Sequence, residues 1–284
     1  MAVDPGVLGL VLLAAILHAT WNAMVKAGGD RLVMVALVIG ASVPVSASAL
    51  FVLPALAPAA LPFLLLSAVI HYAYFAVLIW SYRYGDLSQV YPIARGAAPA
   101  LVAVGAWVIA GEALKGAEMA GVAIVSAGIM SLAWHRRSTA RQGEAAAIAL
   151  ALLNALLIGL YLLADGLGGR SAGDPFTYIC WLFTLQPLPL LAFALWRRRG
   201  RIRAAFAPHL KAGVFGGAIA AISYGIAIWA LSVAPMAHIV ALRETSVLFA
   251  AAIGTLLLKE PFGRRRIVAA AVVAGGAALL NLGG

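Results

Sequence analysis

RGAAPALVAVGAWVIAGE, residues 95–112, returns as RETSVLFAAAIGTLLLKE at residues 243–260. In both copies an arginine opens an apolar run and a glutamate closes it seventeen positions later. The copies stand 148 residues apart in a chain of 284, so each half carries one. An arginine inside a hydrophobic span is costly, and such residues face a cavity or a partner rather than lipid. Two of them, one per half, point to a duplicated unit that crosses a membrane.

Composition agrees. Hydrophobic residues make up 64% of the chain and charged residues 11%, with a mean hydropathy of +1.01. A soluble domain carries about a quarter charged residues, so the chain reads as an all-α polytopic membrane protein. The net charge of +10 would suggest nucleic acid in a soluble protein. Here the basic residues lie in short connections between apolar runs, which is the positive-inside pattern, and no nucleic-acid partner is expected. Cys180 is the one cysteine, so there is neither a disulfide framework nor a paired-cysteine metal site. The N-terminal stretch lacks a basic leader and begins with Asp4 and Pro5; it reads as a first spanning helix, not a cleaved signal.

A spanning helix needs about 20 mostly apolar residues. That ruler gives ten spans, over residues 6–26, 32–53, 61–82, 88–108, 118–134, 145–165, 175–196, 210–231, 236–257 and 266–282. The odd-numbered connections hold sixteen of the twenty Lys and Arg residues, from Lys26 and Arg31 in the first to Lys259 and Arg264–Arg266 in the ninth. The even connections hold only Lys115 and Arg170, and the other two are Arg95 and Arg243 within spans. The odd loops are therefore expected in the cytoplasm and both termini outside it, in a bacterial-type inner (plasma) membrane.

The halves, residues 1–140 and 141–284, echo each other beyond the opening motif. Trp80 corresponds to Trp229 and Gly128 to Gly276, and Trp21 before Gly28 and Gly29 resembles Tyr161 before Gly168 and Gly169. Five helices per half is odd, so the second copy must cross the membrane inverted, an architecture that secondary transporters use around a midplane site.

The segment GEALKGAEMAGVAIVSAGIMSL closing the first half and LKEPFGRRRIVAAAVVAGGAALL closing the second resemble the helix-end signature of the EamA-type drug/metabolite transporter superfamily. The resemblance covers the whole chain through its length, its ten spans and its two repeats. It implies a secondary carrier or exporter of small metabolites with a cavity between the halves, and it says little about the cargo. Several members of that family carry their basic loops on the opposite connections, so the charge count here is a departure.

Candidate site residues follow from polarity within spans. Arg95 and Arg243 lie about 10 Å into the fourth and ninth spans at 1.5 Å per residue, too deep to snorkel easily. A guanidinium fork suits a carboxylate or phosphate, which makes both candidates for an anionic cargo; the plainer reading is internal pairing. Glu244 is a candidate proton-coupling site or counter-charge to Arg95. In the first span His18, Asn22 and Lys26 form one stripe with Trp21 beside it, facing either a cavity or a neighbouring helix. Tyr72, Tyr74, Tyr224 and Trp229 are aromatic candidates for a cavity wall, as is Tyr91 before Pro92, although such residues also form interfacial belts. His238 reads as a packed neutral histidine. Glu112 and Glu260 precede helices, where a carboxylate suits the helix dipole, and read as structural. Asp165 is placed at the end of the sixth span, on the face opposite Lys26.

No G-x-x-x-x-G-K-[ST] phosphate loop and no HExxH occurs, so neither ATP, nor another cofactor, nor a metal is expected. The expectation is a secondary transporter of a small polar or anionic metabolite working by alternating access, not an enzyme. Its partners are that small molecule, the lipid bilayer and protons as a candidate coupling ion, in a monomer or homodimer. The rivals are an exporter of amino acids or amphiphilic cations that uses Glu244, and, in another class, a membrane-embedded enzyme or scaffold.

Overall fold

Hydrocarbon offers no hydrogen bonds, so apolar spans must satisfy their own backbone, and a helix does this within one segment. The computed structural model describes residues 3–27, 29–81, 84, 87–133, 144–256 and 264–282, and all regular structure among them is helical. The first half holds α1 (Pro5–Ala27), α2 (Arg31–Gly40), α3 (Ser42–Ala49), α4 (Leu61–Ser81), α5 (Leu87–Ala110) and α6 (Gly116–Met130). The second holds α7 (Glu144–Ser171), α8 (Pro175–Leu185), α9 (Leu188–Arg197), the short α10 (Ile202–Phe206), α11 (Leu210–Val233), α12 (Met236–Arg243), α13 (Ser246–Leu256) and α14 (Arg264–Leu282). Among the described residues seven helical stretches are long and apolar enough to cross a membrane, and Gly116–Met130 and Ile267–Asn281 are shorter apolar helices. The chain is a multi-pass membrane protein. Glu260, Lys259, Arg83, Arg136, Arg137 and Arg141, and the expected boundary between the halves at 140, lie outside the described residues.

Three expected continuous spans are broken. The span expected over 32–53 divides between α2 and α3, where Pro44 withholds an N–H from the Gly40 carbonyl. The span over 175–196 divides at Pro187, whose missing N–H frees the Phe183 carbonyl; the Ser42 hydroxyl donates to it at 3.4 Å. The span over 236–257 divides at Glu244 and Thr245, where Thr245 N–H bonds Leu242 O and Leu248 N–H bonds Thr245 O. These i to i−3 bonds tighten one turn and aim α12 and α13 separately. A fourth correction lengthens a helix. The sixth span was expected to end at Asp165, but α7 continues to Ser171. Gly168 lies against the Tyr178 ring with no room for a larger side chain, and Gly169 stands tight against Ser232, so the glycines allow close packing instead of ending the helix.

α7 packs against α4 and α5 of the first half, while α1 packs against α11, α12 and α13 of the second. The two contacts are reciprocal, α7 lying against α4 and α5 and α1 against α11 to α13. α6 and α14 close the far side. There a Cβ added to Gly121 would stand 2.9 Å from the Gly276 carbonyl oxygen, and one added to Gly276 2.9 Å from that of Gly121. Only glycine permits that approach on either helix.

Polar contacts tie the connections at each end of the bundle. At one end Arg198 donates to Asp30, 2.6 Å away, joining the α1–α2 connection to the one after α9. Asp30 also accepts from Val33 N–H and caps α2. At the other end Arg170 reaches Glu112 at 2.6 Å and donates through Nε to the Leu231 carbonyl at 3.1 Å. That carbonyl is free because Pro235, four residues on, has no N–H. Glu112 in turn accepts from Met236 N–H at 2.8 Å. Glu112 was expected to serve the helix that follows it; it caps α12 instead, while Glu118 accepts from Lys115 N–H at the start of α6.

Candidate functional site

The broken turn after α12 delivers two charges to the centre of the bundle. Glu244 is 1% exposed, and Arg95 of α5 meets it with two nitrogens, Nη2 to Oε1 at 2.5 Å and Nε to Oε2 at 3.2 Å. One charge-assisted hydrogen bond, from Nε, and a second close contact, from Nη2, neutralise the carboxylate and the guanidinium together. Pro99, inside α5, leaves the Arg95 carbonyl without its usual helical donor. On the neighbouring position Gly96 lies against Ser126 and Met130 of α6, which brings that part of α5 tight against α6.

Arg243 is different. It is 5% exposed, yet no carboxylate among the described residues lies within ion-pair distance. Its Nη2 lies 3.4 Å from His18 Nδ1, its guanidinium sits 5.0 Å over the Tyr224 ring, and its Nε is buried with no hydrogen-bond partner among the described residues. A nitrogen that receives from a guanidinium must offer a lone pair, so His18 Nδ1 acts as the acceptor. A ring face and one imidazole nitrogen compensate a buried cation less than a carboxylate does.

A cavity of about 110 Å³ adjoins this centre, lined by His18, Ala19, Asn22, Tyr91, Pro92, Ile129, Leu132, Ser246, Val247 and Ala250. It lies toward the end of the bundle that holds the Asp30–Arg198 contact, since its residues come from the last turns of α1 and α6 and the first of α5. His18 stands between this cavity and Arg243. Ser246 and Val247 form the first turn of α13, so the positive end of that helix dipole also faces the cavity.

On the other side of Tyr224 lies a second buried cluster. Asp165 of α7, fully buried, accepts from the Ser67 hydroxyl at 2.5 Å, the Tyr178 hydroxyl at 3.0 Å and the Tyr224 hydroxyl at 2.5 Å. His71 Nδ1 donates to the Ser67 carbonyl at 2.9 Å and its ring stacks on Tyr161 at 4.1 Å.

The candidates read from the sequence therefore separate. Arg95, Arg243, Glu244, His18 and Tyr224 converge on one centre. Asn22 and Tyr91 line the cavity, although the Asn22 amide also donates to the His18 carbonyl within α1. Trp21 meets the edge of His18 at 5.3 Å, and Tyr74 packs on Tyr161 at 5.8 Å. Tyr72 donates to the Leu185 carbonyl at 3.1 Å beside the Pro187 break, and Trp229 packs into the apolar core. His238 is buried with Nε2 3.4 Å from Glu118. Asp165 and Ser67 were not candidates. Their signal is a pair of i, i+4 stripes, Ser67–His71 and Tyr161–Asp165, that place polar groups on facing helices.

Residues 145–282 match the EamA-like transporter family. No curated protein sequence matches the chain. A solved structure titled "Crystal structure of protein" is similar in fold, with a TM-score of 0.76 and 15% identity over 98% of this chain and 99% of the other. At that identity the likeness concerns architecture alone. The whole chain matches as a fold, and the second half, residues 145–282, belongs to the EamA-like transporter family, which supports the EamA-type drug/metabolite transporter superfamily.

Proposed function

We propose that this protein is a secondary carrier of a small anionic metabolite, with Arg243 as the group that receives the anion. The family is one of transporters, not enzymes. The observation that carries the anionic reading is the contrast between the two arginines. Arg95 is already neutralised by Glu244, whereas Arg243 is buried with no carboxylate within ion-pair distance among the described residues. A carboxylate or phosphate arriving through the cavity would displace His18 and take both the guanidinium and the α13 N-terminus. The same contrast disfavours a cationic cargo held by Glu244, because that carboxylate is occupied.

The carrier works by alternating access between inverted halves, residues 1–140 and 141–284, each with five spans. The reciprocal insertion of α1 and α7 into the opposite halves supports this reading. So does the gathering of the α5–α6, α7–α8 and α11–α12 connections at Glu112 and Arg170, opposite the Asp30–Arg198 end. The Glu112–Arg170 contacts close one end while the cavity lies toward the other. Exchange of those contacts for an opening on the Glu112 side is the expected transport step. The basic odd connections put the Asp30–Arg198 end in the cytoplasm of a bacterial-type cell, with both termini outside.

Proteoliposome uptake over a panel of organic acids, phosphorylated compounds and amino acids tests the reading. At least one anion should be taken up by wild type and not by Arg243→Gln. Uptake confined to organic cations would overturn it.

A further inference from the structure

The Asp165 cluster stands apart from the proposed anion site and is built unlike a packing network. Asp165 of α7 is faced by Ser67 and His71 of α4, Tyr178 of α8 and Tyr224 of α11, with Tyr161 one turn away on its own helix. Arg243 of α12 lies beyond the Tyr224 ring, and Arg95 of α5, with its partner Glu244, lies beyond that. Every group that donates a hydrogen bond to the carboxylate among the described residues is a hydroxyl. A buried carboxylate held by hydroxyls alone can accept a proton without breaking an ion pair.

The hydrogen bonds also have somewhere to go. His71 Nδ1 donates to the Ser67 carbonyl, so in the neutral ring Nε2 carries the lone pair, and it lies 3.5 Å from the Tyr224 hydroxyl. With Asp165 ionised, Tyr224 donates to Oδ2. With Asp165 protonated, Oδ2–H donates to Tyr224, whose own hydrogen turns to His71 Nε2. Tyr178 has a second acceptor as well, the Ala164 carbonyl at 3.5 Å. Both states keep their donors and acceptors paired, as a cluster that takes up and releases a proton inside a membrane requires.

We propose that Asp165 is the proton-binding group of this carrier, and that through the Tyr224 ring its protonation favours an anion at Arg243. Tyr224 joins the two sites, its hydroxyl on Asp165 and its face under the guanidinium. An ionised Asp165 compensates the charge of Arg243, and a neutral one leaves it for the cargo. Proton and anion therefore move in the same direction. This second step rests on the reading of Arg243 as the anion site; the proton site does not.

Infrared titration of the full chain in lipid vesicles, with no cargo present, tests both. The difference between the wild-type and Asp165→Asn titrations should hold the C=O stretch of one protonated carboxylic acid that grows as pH falls, and Glu244→Gln should retain that stretch. A difference spectrum without it overturns the proton site. Arg243→Gln removes a positive charge beyond the Tyr224 ring and should raise the midpoint. An unchanged midpoint overturns the coupling. Tyr224→Phe, which keeps the ring under Arg243 and deletes one hydroxyl, should also raise the midpoint, so the proposal stays testable if Asp165→Asn fails to fold. In vesicles with an acid exterior, wild type should concentrate succinate or inorganic phosphate and Asp165→Asn should not. If wild type moves neither probe and takes up only organic cations, the anion reading of Arg243 fails while the infrared titration still decides the proton site.

Discussion

Replacing Arg95 with glutamine strands Glu244. The pair is almost wholly shielded, with side chains 7% and 2% exposed, and no other basic group lies within ion-pair distance of Glu244 among the described residues. Breaking such a pair leaves one buried charge uncompensated and costs about 3–5 kcal/mol. At about 1.4 kcal/mol per tenfold, that is a loss of roughly a thousandfold in the folding equilibrium. Glu244→Gln should cost a similar amount for the converse reason. The double variant Arg95→Gln/Glu244→Gln removes both charges and keeps two amides that can bond each other, so it should recover most of the loss. The cycle then gives a coupling energy of about 3 kcal/mol. Reversible unfolding of the purified protein in mixed micelles provides the measurement. A single-variant loss below about 1 kcal/mol, the size seen for exposed pairs, would refute the argument, as would a double variant as unstable as the sum of its parts.

Four further outcomes follow from the same geometry. Arg243→Lys should retain weak anion uptake where Arg243→Gln abolishes it, because a lysine keeps the charge but not the fork; uptake assays with a graded anion concentration read the difference. Glu112→Ala removes both the α12 cap and the Arg170 contact and should lower stability by about 1–2 kcal/mol in the same unfolding assay. Gly121→Leu should prevent the close approach of α6 and α14 and cost at least about 2 kcal/mol, read as lost yield of folded protein. In a Cys180→Ser background, a membrane-impermeant thiol reagent applied to intact cells should label Lys115→Cys and spare Arg201→Cys. Both positions are exposed and lie in even and odd connections.

The sequence made the membrane class legible through hydropathy alone. It also made the centre legible through the repeated arginines, because a charge inside an apolar span has few explanations. Glu244 as counter-charge to Arg95 followed from the same logic, and the two residues do meet. Legibility failed where hydropathy was asked to mark ends. Asp165, followed by Gly168, Gly169 and Arg170, looks like a span terminus; in the folded chain those glycines pack α7 against Tyr178 and Ser232, and the aspartate lies inside. The broken span at Glu244 was hidden for a related reason. Periodicity registers apolar faces and is silent about a single tightened turn, although RETS, residues 243–246, is a polar cluster no lipid-facing helix would hold. The difference between Arg95 and Arg243 could not be read at all, since it depends on which of the two Glu244 reaches.

Arg243 is the proposed receiver of the anion, and equilibrium exchange of a radiolabelled anion in proteoliposomes measures that role most directly, because it needs no driving gradient. For an anion transported by wild type, Arg243→Gln should abolish exchange, while the double variant Arg95→Gln/Glu244→Gln, which leaves Arg243 in place, should still exchange it. Exchange by Arg243→Gln at the wild-type rate would contradict the account.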